Sequence, residues 1–378
     1  MNKKTHVDFD LHGLIGIRLV NPSEADIKTV KKQLGSLQVT SLDREPDITI
    51  RFETYLPLPE LKYLGRDQAG FTDDGFFILN SKKSKAKARI PFETIGSKCE
   101  IVCETGLRAV PLLIAILNLT LLNKGCIALH ASAFVYGETG VLVTGWAKSG
   151  KTEALLAFAA HGARYVGDEW VILTKDGETM YGLPEPMTVW DWHINQLPKI
   201  RDQLTMAKSL AFKAIYLVGR LHKFFANGRL KNTLPMRLAA DVLPALNRQL
   251  YIKVPVEKIF SEGSIEPIAR SEKLFLIMSQ EQSGVFVEAW SPSDITKRML
   301  ESIYYEQVPF FEYYNTFKFA FPEAKNDFLE NVRMLQSDIL TSALRNKEAY
   351  RVLHPYPFSF EELYREMEPY CRKGSHIQ

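Results

Sequence analysis

The chain has 378 residues, of which 46% are hydrophobic and 24% charged. This composition is typical of a folded soluble protein, and at roughly 100–200 residues per domain the length predicts two or three domains. The formal net charge is only +3, which argues against a nucleic-acid partner, because such proteins carry a strongly basic face.

The start of the sequence, MNKKTHVDFD, is polar and is not followed by the apolar core of a secretory signal. The four cysteines do not form paired metal-binding motifs, and the closest two, Cys99 and Cys103, lack two further ligands. The longest apolar stretch, residues 110–122, is shorter than the about 20 residues that span a bilayer. We therefore expect a cytoplasmic protein with reduced thiols and no integral membrane segment.

The first 105 residues predict a β-rich amino-terminal domain, in which short β-branched and aromatic runs alternate with polar or glycine-containing turns. A helix is expected near residues 24–35. The lysine-rich segment 81–89 lies between two strand candidates and indicates a solvated hairpin loop rather than a docking patch. An apolar, buried helix is predicted from Leu107 to about Leu122. The predicted strands are LIGIRLV, DITIRFE, GFFILN and CEIVCE.

Residues 145–152 read GWAKSGKT, which fits the phosphate-binding loop pattern G-x4-G-K-[ST]. A β-branched run precedes the loop and a helical pattern follows it. In this order the backbone N–H groups and the positive end of the helix dipole meet at one point, which favours an anion there. The alternative is a tight turn without a ligand, but no turn requires a lysine and a threonine at the helix start. The predicted nucleotide-binding residues are Gly145, Lys148, Ser149, Gly150, Lys151 and Thr152.

Two neighbouring segments carry acid–base groups. The run before the loop strand predicts a β-hairpin with it, so that His130 lies on an antiparallel neighbour of the loop strand. Downstream, Asp168 and Glu169 fall on the next predicted strand, where a carboxylate can hold Mg²⁺ or accept a proton from a substrate. Surface acids at a strand edge are the alternative, although the apolar residues that follow draw this segment inward.

The segments LHASAF, GVLVTGWAKSGKTEALLAF and GARYVGDEW together resemble the catalytic domain of HPr kinase/phosphorylase and the HprK-related kinases, which is similar in fold to phosphoenolpyruvate carboxykinase. The resemblance extends from about Gly125 to Leu173. It implies a P-loop kinase that uses ATP and Mg²⁺. The residues that it implies as functional are Lys151 and Thr152 for phosphate and Mg²⁺, Asp168 and Glu169 as base and metal ligand, and His130 beside the transferred phosphoryl group.

The sequence also departs from this family. The second acid is Glu169, where the family normally has aspartate, so the roles of the two acids stay open; we expect Asp168 to be the base and Glu169 to serve the metal. The glycine-rich signature of the bifunctional members is replaced by YGLPEPMTVWDWHI, so phosphorylase activity is not assumed and stays open. In that segment Glu185 is a candidate further metal ligand.

Beyond Pro198 the sequence predicts basic helices, then two strand-like runs at 270–280 and 284–290 that complete the central sheet, and then further helices, the last starting at Ser359. We therefore expect an α/β fold with a mixed β-sheet P-loop kinase domain. The predicted domains are 1–105 (β-rich), 106–310 (P-loop nucleotide-binding) and 311–378 (helical C-terminal region).

The expected function is ATP-dependent transfer of the γ-phosphoryl group to a hydroxyl, and the resemblance implies a serine of a protein or peptide as the acceptor. A kinase of an amino acid or metabolite is one alternative. A switch or scaffold in which ATP orders the domain without transfer is another. The oligomeric state, including a homo-oligomer, stays open.

Overall fold

The structure is a computed structural model that describes residues 6–81, 84–197, 205–226, 242–243, 246, 250–261 and 263–373. The chain forms two compact units, one of Met1–Glu185 with Glu266–Gln378 and one of Pro186–Ile265. All the site residues predicted from the sequence belong to the larger unit. The predicted boundaries near residues 105 and 310 fall inside that unit, so the division into three domains stays a prediction.

A nine-stranded mixed sheet forms the amino-terminal part of the larger unit, in the order β3-β1-β2-β4-β9-β8-β7-β6-β5. In β4 every second side chain is buried, as expected for a strand with one face on the core. All four strands predicted in this region are confirmed. The strands are β1 His6–Leu11, β2 Ile15–Val20, β3 Gln38–Val39, β4 Ile48–Glu53, β5 Lys62–Leu64, β6 Ala69–Thr72, β7 Gly75–Ser81, β8 Ser84–Arg89 and β9 Cys99–Glu104.

The prediction of a hairpin loop at residues 81–89 is wrong for Ser84–Arg89, which is strand β8 and pairs with both β7 and β9. Its alternation explains the error. Ala86 and Ala88 are buried, while Lys85 is exposed and Lys87 is half-buried. Alanine is a weak strand former and the segment is rich in charged residues. The alternation of alanine with charged residues, which has the two-residue period of a strand, was therefore not recognised from the sequence.

The second sheet has the order β17-β14-β13-β10-β11-β18-β20-β19, and β12 pairs with β10 beside this path. The predicted antiparallel hairpin of β10 and β11 is confirmed. The two predicted later runs are also strands of this sheet. The strands are β10 Cys126–Tyr136, β11 Thr139–Thr144, β12 Arg164–Gly167, β13 Trp170–Thr174, β14 Thr179–Gly182, β17 Ile268–Arg270, β18 Lys273–Ser279, β19 Phe286–Ala289 and β20 Glu348–His354.

Strand β20 was not predicted, because the carboxy-terminal region was expected to be helical throughout. It lies between β18, to which it is parallel, and β19, to which it is antiparallel. It has only seven residues and is partly exposed at Arg351 and Leu353, and periodicity over so short a run does not separate a strand from a helical segment.

Most of the predicted helices are confirmed. The apolar helix α2 begins at Leu113 rather than at the predicted Leu107. Pro111 lies between these two positions, and the residue before a proline disfavours the helical conformation. The last helix is capped by Ser359, whose hydroxyl accepts from Glu362 N–H, as predicted. The helices are α1 Glu24–Leu34, α2 Leu113–Asn123, α3 Lys151–Ala159, α4 Asp191–Gln196, α5 Met206–Ala226, α6 Pro292–Ala320, α7 Asp327–Glu330, α8 Val332–Leu344 and α9 Phe360–Met367.

Helix α6 is anchored by aromatic packing. The ring of Phe317 lies 5.3 Å from that of Phe92 and 6.1 Å from that of Phe76, and all three side chains are buried. Such pairs add to the free energy gained from apolar burial. This packing fixes the helix that carries Tyr305 and Glu306 towards the second sheet.

The smaller unit holds an antiparallel pair of strands, β15 Met187–Trp190 and β16 Tyr251–Val254, with helices α4 and α5. The prediction of a helical segment beyond Pro198 is confirmed for α5. None of the described helices is long and apolar enough to cross a membrane. The basic residues Lys199, Arg201, Arg229 and Lys231 of that predicted segment lie outside the described residues.

Candidate functional site

The glycine-lysine loop connects the fully buried strand β11 to helix α3, as predicted. Two of its glycines are required by close contacts. A Cβ on Gly145 would collide with Ser149 Oγ and Ile277 O, and a Cβ on Gly150 would lie 2.7 Å from His354 Nε2. Gly150 also has φ +109°, which other residues rarely adopt. The sequence therefore allows the backbone to wrap closely around the start of α3.

Lys151 is the first residue of α3 and is 5% exposed. Its Nζ donates to Trp146 O at 2.8 Å and to Gly145 O at 3.3 Å, and burial lowers the pKa of its ammonium group. An ammonium has three N–H donors, so one remains for an anion. Ser149 Oγ is buried and has no hydrogen-bond partner among the described residues. Both groups fit a phosphate bound in the loop.

Thr152 and Asp168 are in direct contact. The Thr152 hydroxyl lies 3.0 Å from one carboxylate oxygen of Asp168 and 3.1 Å from the other. Asp168 is 2% exposed. Burial and the charge of Glu169 raise the pKa of Asp168 to about 7, against the opposing effect of the hydrogen bond from Thr152. The hydroxyl of the loop residue Thr152 and the buried carboxylate of Asp168 thus lie side by side.

The prediction that the two acids lie within one strand is wrong. They lie between β12 and β13. The strand is interrupted there. Strands β12 and β13 both pair with β10, and Glu169 between them takes the left-handed conformation at φ +67°. This turn sends the side chain of Asp168 into the interior. Glu169, by contrast, stays partly exposed on the side of His130.

His130 lies on β10 between two carboxylates. Its Nε2 is 3.1 Å from Glu169 Oε2, and its Nδ1 is 2.9 Å from Glu306 Oε1. Burial opposes protonation of the ring, but the hydrogen bonds to Glu169 and Glu306 outweigh it and raise the pKa of His130 above its usual value. Both acids therefore stabilise the protonated form of this histidine.

The sequence did not indicate Glu306, Tyr305 or His354 as site residues. Glu306 is one of many polar residues on the long helix α6, and nothing local links it to His130. Tyr305 stacks at a tilt on exposed Trp146 of the loop, with ring centroids 4.8 Å apart. His354 Nε2 lies 2.7 Å from Ser149 O and so supports the loop from β20.

Glu185 is half-buried in the segment after β14, where its N–H donates to Leu183 O at 2.8 Å. Its role in metal binding stays a prediction. Within the described part of the chain, no three side chains of His, Cys, Asp or Glu form a group that could hold a metal ion. Mg²⁺ in nucleotide sites, however, takes one or two protein ligands together with phosphate oxygens. The Thr152 hydroxyl and the adjacent Asp168 carboxylate fit that ligand set.

The structure thus brings together most of the predicted site residues in one region of the second sheet. The loop with Lys151 and Thr152, the acid pair, and His130 contact one another directly or through one intermediate residue. The exposed Lys148 lies on the outer side of the loop. The sequence matches no protein-family model, and no curated protein gives a significant match.

Proposed function

We propose that this protein is an ATP-dependent phosphotransferase of the HPr-kinase-like type, with a P-loop kinase domain, which passes the γ-phosphoryl group to a hydroxyl. The observation that carries the proposal is the contact between the loop hydroxyl of Thr152 and the buried carboxylate of Asp168, next to the pair formed by Glu169 and His130. A phosphate loop, a metal-side acid and an acceptor-side acid in one site are the parts that phosphoryl transfer requires.

The phosphate side of the reaction would be supplied by the loop. The third N–H donor of Lys151 and the hydroxyl of Ser149, which has no partner within the described residues, would bind the β- and γ-phosphate oxygens, together with the N–H groups at the start of α3. Thr152 would hold Mg²⁺, which neutralises charge on the phosphates. Lys151 keeps its position because two carbonyl groups of the loop already hold its ammonium group.

Which acid accepts the proton is the open part of the mechanism. The sequence-based prediction makes Asp168 the base and Glu169 the metal-side acid, and a pKa of about 7 suits a base. The hydrogen bonds support the exchanged roles, because Thr152 binds Asp168 and His130 binds Glu169. We therefore propose that Glu169 accepts the proton of the acceptor hydroxyl and that Asp168 serves the metal.

His130 would act on the charge of the reacting groups. It bonds Glu169 on one side and Glu306 on the other, and in its protonated form it would fix the carboxylate of Glu169 and stabilise negative charge on the phosphoryl group. Preorganised charges of this kind contribute to transfer without any rearrangement during the reaction.

The proposal is tested by incubating the purified protein with γ-labelled ATP, Mg²⁺ and a lysate of its source cell, followed by identification of the labelled species. Lys151→Ala should abolish labelling. Lys98→Ala, which removes an exposed lysine just before β9, is the matched control. If the parent protein binds ATP by calorimetry but labels neither protein nor metabolite, the switch or scaffold interpretation replaces the kinase.

The acceptor is either a serine of a protein or peptide, as the resemblance implies, or a small molecule. A specific observation favours the second candidate, a small-molecule kinase: His130 lines a cavity in the larger unit.

A further inference from the structure

A cavity of about 140 Å³ lies in the larger unit beside the proposed phosphoryl-transfer site. Helices α2, α6 and α8 and strands β10 and β13 provide its walls. Most of the wall is apolar and includes Ile127, Ile303 and the ring of Trp170, whereas His130 and Glu306 line it as ionisable groups. His130 also binds Glu169, so one side chain connects the cavity to the acid that we propose as base.

Amide side chains interrupt the apolar wall of this cavity. Gln336 of α8 is 2% exposed, and its Nε2 donates to Gln307 Oε1 at 2.9 Å. Its Oε1 is buried and has no hydrogen-bond partner within the described part of the chain. The neighbouring buried positions of α8, such as Ile339 and Leu340, are apolar, so a leucine would suit the packing here. A buried amide oxygen without a partner is unfavourable in an empty site. Its presence indicates that a ligand donates to it.

The size and the charge of the cavity restrict that ligand. A dry cavity of about 150 Å³ accommodates benzene, so this one takes a molecule of about six to eight non-hydrogen atoms. Among the residues that line it, Glu306 is the acid, and no lysine or arginine contributes. His130 is already shared by the carboxylates of Glu306 and Glu169, so a ligand carboxylate would be the third acid around one histidine, and an amine is favoured instead.

We propose that this cavity binds the phosphoryl acceptor and that the acceptor is a small amino alcohol. Its N–H group donates to Gln336 Oε1, its apolar body packs against the isoleucine side chains, and its hydroxyl lies at the His130 end. This inference rests on the proposed function. In the transfer step the hydroxyl oxygen bonds to the γ-phosphorus, the bond from that phosphorus to the bridging oxygen of ADP breaks, and ADP keeps the electron pair. The hydroxyl proton passes to the carboxylate of Glu169.

Three matched probes test the recognition. L-leucinol has the amine, the branched apolar body and the hydroxyl; 4-methylpentan-1-ol lacks only the amine; and L-leucine carries a carboxylate in place of the alcohol. Calorimetry on the full chain, with Mg²⁺ and a non-hydrolysable ATP analogue, measures each affinity. We expect L-leucinol to bind at least about tenfold more tightly than either of the others, the effect of one hydrogen bond to a charged donor. We also expect L-leucinol to be phosphorylated when ATP is supplied.

Substitutions connect that binding to the cavity. Gln336→Met keeps the size and removes the acceptor oxygen, so it should weaken L-leucinol about tenfold or more and leave 4-methylpentan-1-ol unchanged. Gln336→Glu restores an acceptor oxygen and should restore L-leucinol binding, which a merely structural role of Gln336 would not do. Ala115→Phe fills the cavity from α2 and should abolish binding of both alcohols. Ala25→Phe, at an exposed position of α1, is the matched control.

The outcomes separate this inference from the proposed function. If ATP binds and a serine-containing protein of the lysate is labelled, but L-leucinol neither binds nor is phosphorylated, the phosphotransferase stands and the amino-alcohol pocket is refuted. If L-leucinol binds with ATP present but is not phosphorylated, the cavity is not the acceptor site. If ATP itself does not bind, the proposed function fails first, and the acceptor inference fails with it.

Discussion

The buried charge of Asp168 should reduce the stability of the protein, and this reduction should depend on pH. Burial raises the pKa of Asp168 from 3.8 to about 7. Between these two values the folded state holds a proton that the unfolded state has lost, so the free energy of unfolding falls as the pH rises. At about 1.4 kcal/mol for each pH unit, the total is at most about 4 kcal/mol, of which about 2 kcal/mol falls between pH 5 and pH 7, because the folded-state carboxyl is already half-ionised at pH 7.

Asp168→Asn removes the titration and keeps an oxygen that can accept from the Thr152 hydroxyl. Relative to the parent, the variant should therefore gain up to about 3 kcal/mol in free energy of unfolding between pH 5 and pH 8. Urea unfolding at both pH values measures the gain. Asp176→Asn is the control, because Asp176 is exposed and hydrogen bonds from Thr174 and Glu178 N–H lower its pKa, so its difference from the parent should stay constant. A flat or shrinking difference for Asp168→Asn would refute a buried, destabilising carboxylate.

Four further substitutions test the site. Lys151→Ala should abolish Mg²⁺-ATP binding in calorimetry, because its ammonium is the main counterion of the phosphates; unchanged affinity in a folded variant would contradict a phosphate loop. Glu169→Gln should slow single-turnover transfer by about 10²–10⁴-fold and retain the ATP affinity. The transfer rate of Asp168→Asn, by contrast, should recover when Mg²⁺ is raised. The reverse pattern would restore Asp168 as the base. Gly150→Ala should lower both the Tm and the ATP affinity, since its Cβ would lie 2.7 Å from His354 Nε2, and a parental Tm would exclude that contact. His130→Gln should lose most stability below about pH 6.5, where the raised pKa keeps His130 charged, and the deficit should fade as the pH rises through that pKa; a deficit that grows with pH would exclude the ion pairs.

The local parts of this site could be predicted from the sequence, because short-range signals specify them. A β-branched run, two glycines, a lysine with a threonine, and a helical pattern lie within about 20 consecutive residues, and each restricts the backbone by itself. The hairpin of β10 and β11 follows from the glycine-bounded turn between them. These elements needed no knowledge of distant contacts.

The remaining site residues depend on contacts between distant parts of the chain. His130 and Glu306 are 176 residues apart, and His354 and Ser149 are 205 residues apart. No spacing rule covers such distances, and the omission of β20 concealed His354 entirely. The acid pair was found but was assigned to one strand, because hydrophobic flanks do not reveal a residue with positive φ such as Glu169.

Several locally unfavourable features of the fold lie in this region. Asp168 is a buried carboxylate, Ser149 and Gln336 leave buried oxygens without partners among the described residues, and Glu169 takes a conformation that side chains disfavour. An apolar residue, a bonded hydroxyl or a glycine would remove each of these penalties, so packing alone does not account for them. A bound phosphate would provide partners for Ser149 and Lys151, and an amine for Gln336. We therefore expect a bound ligand to raise the free energy of unfolding by more than contacts with the protein surface alone would. The ligand would supply hydrogen bonds to buried groups that have no partner among the described residues.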